Sequence, residues 1–180
     1  MIFELNDTSK VKHMFSLFKK KEVKKDIYIE NDIGKFLVTT FGKTSPMLEG
    51  AIDWGYSDSI VMANIICDAN DESVQANNLE YLRVILENKK ELDENLRQYI
   101  VNKHVEDDGL VHIWGDGSSD KDPEPISGAA FYEKLYLSYI RIYEDATAEF
   151  VFPADGLYTD HDLVVRVDHE LHFEECVLEG

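Results

Sequence analysis

Three of the chain's six histidines lie among carboxylates near its end, in Asp160-His161-Asp162 and Asp168-His169-Glu170-Leu171-His172. Imidazole and carboxylate together can hold zinc or another transition ion, and a bound ion can activate water for hydrolysis. The spacing does not favour this. The zinc-protease pattern HExxH is absent, and on a strand His169 and His172 point to opposite faces because three residues is an odd step. Asp116-Gly117-Ser118-Ser119-Asp120-Lys121-Asp122 imitates the first half of a calcium loop, with oxygen donors at alternate positions. The sixth position needs glycine and holds Lys121, and the twelfth needs glutamate and holds Ser127. Gly42-Lys43-Thr44 imitates the end of a phosphate-binding loop, but Leu37 stands where its first glycine belongs and Ser45-Pro46 follows instead of a helix start. Nucleophile elbow, dinucleotide fingerprint and CxxC pair are all missing. No catalytic residue, metal site or cofactor is therefore assigned. A metal-assisted hydrolase using His161, His169 or His172 with nearby aspartates stands as the alternative.

The elements that would carry these residues follow from periodicity. Residues 8–25 have helical spacing, with Thr8 or Ser9 as cap and Val11, Met14, Phe15 and Phe18 on one side. From Lys35 the period is two: strands are expected over Lys35 to Phe41, Met47 to Trp54 and Ser59 to Cys67, the last apolar on both faces as in a central strand. Short turns between them imply an antiparallel meander. Residues 73–104 return to helical period, with a break at Asn88-Lys89-Lys90. Residues 105–125 read as a polar loop interrupted by Leu110 to Trp114, and Pro125-Ile126-Ser127 opens a short helix with Ser127 as cap. Strand patterns return over Leu135 to Tyr143, Ala148 to Phe152, Leu163 to Val167 and Leu171 to Leu178. The order predicts an α+β fold: a largely antiparallel sheet in two strand runs separated by two helices, plus an N-terminal helix. Residues 1–34 read as a basic helix and lead-in, and residues 35–180 as a single domain.

Charge is the strongest compositional signal. There are 36 acidic residues against 18 basic ones, a net charge of −18. Such a surface repels nucleic acid and anionic lipid and attracts basic proteins and cations. Seven lysines between Lys10 and Lys25 set a basic start against an acidic remainder. Lysine runs on helices are usually solvated faces; the other possibilities are an anionic contact and an arm that folds onto the protein's own acidic surface. Cys67 and Cys176 are far apart in apolar runs and read as reduced buried thiols of a cytoplasmic protein. No signal peptide or membrane span is visible.

Residues from about 36 to 180 resemble a bacterial family catalogued as domain of unknown function 2262. The resemblance rests on Phe41-Gly42-Lys43, on Leu48-Glu49-Gly50 leading to Trp54, and on Pro125-Ile126 opening a helix towards Phe131 and Leu137. It also rests on Asp155-Gly156-Leu157-Tyr158 before His161, and on Leu178-Glu179-Gly180. It implies a bacterial cytoplasmic origin and an α+β fold, and it carries no activity. The sequence thus points to a protein-binding module of inhibitor or immunity type, engaging a basic protein and neither nucleic acid nor membrane. The expected carriers are the loop acids Asp116, Asp120 and Asp122 and the turn acids Asp155, Asp160 and Asp162.

Overall fold

The computed structural model describes residues 26–41, 45–56, 60–67, 72–113, 124–154, 156–158 and 161–180. The expected α+β class holds, with a large, mostly antiparallel sheet and a few helices. The predicted N-terminal helix lies outside the described residues.

Strands β1 (Tyr28–Glu30), β2 (Lys35–Phe41), β3 (Ser45–Ile52) and β4 (Val61–Ile66) pair antiparallel in sequence order. Strands β7 (Tyr139–Ile142), β8 (Ala148–Pro153), β9 (Asp162–Val167) and β10 (Phe173–Glu179) do the same. The two sets join through β4 and β7, which run parallel, giving one eight-stranded sheet in the order β1-β2-β3-β4-β7-β8-β9-β10. A parallel pair needs a long crossover. Here it contains α1 (Glu72–Glu87), α2 (Lys89–His104), the hairpin of β5 (Leu110–Ile113) with β6 (Glu124–Ser127), and α3 (Gly128–Tyr132).

Three sequence expectations change. Residues 105–125 are not one loop, because Leu110–Ile113 forms a strand against Glu124–Ser127. Pro125 and Ile126 accordingly stay extended, and only Ser127 takes the expected role: its hydroxyl accepts the backbone N–H of Ala130 at 3.1 Å. The strand expected from Leu135 begins at Tyr139.

One sheet face and the helices enclose the core. Asn78, Tyr81, Leu82 and Ile85 of α1 share one side, as do Leu92, Leu96 and Ile100 of α2. They meet Leu48, Val61, Ala63, Ile65, Phe150 and Val165, with Phe131 of α3 closing one end. Gly50 is required by that packing: a Cβ there would lie 2.6 Å from the Phe36 ring. Among the described residues no helix is long and apolar enough to cross a membrane.

Candidate functional site

The opposite sheet face is free of helices among the described elements, and its register builds two parallel rows. Successive cross-strand partners place Glu49, Asn64, Arg141, Glu149, Arg166 and Glu175 in one line across six strands. Two residues along, Met62, Tyr139, Val151, Val164 and Val177 form an apolar line. Cross-strand neighbours on one face lie about 5 Å apart, so each row is continuous contact.

Glu149 is the hub of the polar row. It is buried, and its carboxylate accepts Arg141 Nη1 at 3.0 Å, Tyr143 Oη at 2.7 Å and Arg166 Nε at 2.9 Å. Burial pushes its carboxyl up, but the hydrogen bonds from Tyr143, Arg166 and Arg141 outweigh this and hold it below the usual range. Arg166 also donates to Glu175 and, at 2.6 Å, to Glu179. The cluster floors an open concavity of about 540 Å³ reaching Ile66 and Thr147. The charges of the cluster thus satisfy one another across strands β7 to β10.

A second polar centre sits where α2 meets the turn after β3. Buried Asp93 accepts Trp54 Nε1 at 2.9 Å and Tyr56 Oη at 2.5 Å on one oxygen, and Arg97 on the other. Arg97 lies over the Tyr132 ring, 4.6 Å from its centre. Burial and then the Asp93 hydrogen bond push the Tyr56 phenol up, so it remains a donor at physiological pH.

A third grouping was not legible in the sequence. His104 Nδ1 lies 3.2 Å from Tyr158 Oη, and His104 Nε2 lies 3.8 Å from Cys176 Sγ. A thiol beside an imidazole suggests a nucleophile, but the electrostatics oppose it. Burial pushes the thiol up to about 11 and the phenol up to about 12, and it lowers the imidazole. All three groups are neutral near pH 7, so no thiolate–imidazolium pair forms. No sequence signal links Cys176 to a histidine 72 positions earlier.

The predicted site residues divide. Asp116, Asp120, Asp122, Asp155 and Asp160 lie outside the described residues. Asp162 opens β9, half-buried on the helix-free face, across from Pro153 and Glu179. The histidines do not converge. His161 precedes β9, and His169 and His172 follow it. The six strand residues between hold the two ends about 20 Å apart. Asp168-His169-Glu170, residue types that mark a turn, do form one, while the strand expected from Leu171 begins at Phe173, so His172 also lies before β10, next to Leu171 at φ +65°. In that turn Asp168 Oδ1 accepts the N–H groups of Glu170 and His172, and Oδ2 lies 3.1 Å from His172 Nδ1. Donor atoms of Asp168, Glu170 and His172 fall within 4.8 Å of one another. Asp168 is thereby already occupied as the cap of its own turn.

No curated protein and no solved structure matches the chain. One family model does, over residues 30–177, and the match begins after the seven lysines of the first 25 residues. With the match spanning nearly every strand and helix described above, the chain belongs to the bacterial family described as "Uncharacterized protein conserved in bacteria (DUF2262)".

Proposed function

We propose that the chain is a cytoplasmic, non-catalytic protein-binding module of inhibitor or immunity type, with a basic protein as its partner. The observation that carries this is the distribution of charge. Residues 26–180 hold 33 acidic and 11 basic residues, a balance of −22, while residues 1–25 hold 3 and 7, a balance of +4. All four arginines are engaged by the chain's own carboxylates: Arg83 by Asp32 and Glu80, Arg97 by Asp93, Arg141 by Glu149, and Arg166 by Glu149, Glu175 and Glu179. No arginine is left over for an anionic ligand, and the remaining basic residues are lysines. Glu106, Asp107, Asp108, Glu133, Glu170 and Glu174 stand exposed to solvent.

Strand β10 adds a place for contact. Among the described residues it pairs with β9 alone, so it is a sheet edge, and its exposed side chains include Glu174 and Glu175. Carboxylates on an edge deter strand-to-strand aggregation and steer a basic partner during encounter. The carriers expected from sequence, Asp116, Asp120, Asp122, Asp155 and Asp160, add to the same negative charge in this reading.

Affinity capture with the full chain as bait, from the source bacterium, tests it. A basic protein is expected to be retained at about 50 mM salt and released near 500 mM, where the screening length falls from over 10 Å to a few ångströms. Retention of neutral or acidic proteins only, or retention indifferent to salt, contradicts the proposal. The metal-assisted hydrolase has one geometric observation in its favour, the Asp168, Glu170 and His172 grouping. Stoichiometric zinc or manganese in untagged protein would favour that alternative.

A further inference from the structure

We infer that the outer edge of β10 takes up a further strand, an extended segment of a basic partner with cations at every second residue but one. This rests on the proposed function in one respect, the positive charge of the partner. Of the two edges of the described sheet, β1 is three residues long and β10 is seven. Short edge strands give a neighbour little to pair with, whereas seven residues span about 23 Å of ladder. In an antiparallel pair, alternate residues turn both backbone groups to the neighbour, and among the described residues only β9 pairs with β10. About half of the N–H and C=O groups of β10 therefore face outwards, away from β9.

The side chains select what can pair there. Glu175, Val177 and Glu179 alternate along the face on which Arg166 lies. Arg141 and Arg166 face three carboxylates, those of Glu149, Glu175 and Glu179, so this end of the sheet keeps a negative balance. The Glu175 and Glu179 side chains remain 47% and 39% exposed, and a carboxylate accepts several hydrogen bonds. Leu178, on the other face, is 42% exposed although apolar. A strand laid alongside meets this edge best with a cation, an apolar residue and a cation at alternate positions, opposite Glu175, Val177 and Glu179. A second copy fits badly. Two β10 strands meeting about a two-fold axis run antiparallel, and centred on Val177 they set Glu175 of each against Glu179 of the other.

The probe is the synthetic peptide Thr-Lys-Thr-Val-Thr-Lys-Thr, carrying a fluorophore and titrated against the full chain at about 50 mM salt. A version with glutamate for both lysines is expected to bind at least about tenfold more weakly. Two N-methylated versions, one modified on the odd residues and one on the even, keep the charge and each remove one set of N–H donors. Only one edge of the peptide can pair with β10, so one version is expected to bind at least about tenfold more weakly than the parent and the other within about twofold. Saturation with the parent peptide is expected to slow amide exchange in Phe173–Glu179 at least about tenfold and to leave Tyr28–Glu30 unchanged. No binding of the parent below about 1 mM overturns the inference. So does equal binding of both N-methylated versions, which would mean attraction by charge alone, and so does protection that falls elsewhere than β10. A dimer of the chain with β10 already protected also overturns it, by giving the edge to a second copy. Salt-sensitive capture of a basic protein is measured separately, so the strand can fail while the partner reading stands, and the reverse.

Discussion

Replacing Glu149 by glutamine removes one charge from the centre of the polar row with almost no change in volume. Three donors converge on that carboxylate, two of them guanidinium groups. Hydrogen bonds to charged groups contribute about 1.5–3 kcal/mol each, so losing all three would cost about 6 kcal/mol. Two effects reduce that figure. Glutamine keeps one acceptor oxygen, and the arginines are 29% and 38% exposed, so both can regain water. What remains is one lost charge-assisted bond and an amide N–H turned towards a guanidinium, together about 2–3 kcal/mol. Urea unfolding is expected to show a midpoint lower by about 1 M with an unchanged slope. The pH dependence supplies a sign. Because the Glu149 carboxyl titrates below its ordinary range when folded, its contribution is present above about pH 5 and is lost as pH falls through the lower folded value. The gap between wild type and Glu149→Gln should therefore be full at neutral pH and close in acid. A midpoint shift below about 0.2 M, or a gap that widens in acid, would refute the assignment of Glu149 as the hub.

Other perturbations follow from the same packing. Asp93→Ala leaves Trp54 Nε1, Tyr56 Oη and Arg97 without their shared acceptor, and is expected to cost about 3–5 kcal/mol in thermal or urea unfolding, with a shift in tryptophan emission. Gly50→Ala forces a Cβ to 2.6 Å from the Phe36 ring and 3.0 Å from the Lys35 carbonyl oxygen, and is expected to destabilise by about 1–3 kcal/mol in the same assay. With its thiol pushed up to about 11, Cys176 should react with a disulfide reagent at pH 7.5 about a hundredfold more slowly than an ordinary cysteine; fast labelling would instead reveal an activated thiolate beside His104.

Local chemistry made several elements legible. The run of β4, apolar on both faces apart from Asn64, announced a central strand, and it is the strand that joins the two antiparallel sets. Asn88 interrupts the helical period where α1 gives way to α2, and its amide donates to the Val84 carbonyl at 2.8 Å. Ser127 showed its cap through residue type alone. What escaped depends on partners distant in sequence. Leu110–Ile113 becomes a strand only because Glu124–Ser127 pairs with it, and Tyr28–Glu30 is too short to show a period. The row from Glu49 to Glu175 takes one residue from each of six strands, and its alignment is set by the parallel register of β4 on β7. Strand periodicity tells which residues share a face and not which strand lies alongside. The acidic balance was plain from composition; that every arginine is already engaged by the chain's own carboxylates needed coordinates.

Charge-guided capture of a basic protein leaves its mark on association rate. The most direct measurement is the association rate constant of the captured partner with the full chain, by stopped flow, at several ionic strengths. The rate constant is expected to fall at least about tenfold between 20 and 500 mM salt, while dissociation changes little, and to be slower for Glu170→Lys combined with Glu174→Lys. An association rate flat in salt and indifferent to those two reversals would contradict the proposed role of the acidic surface.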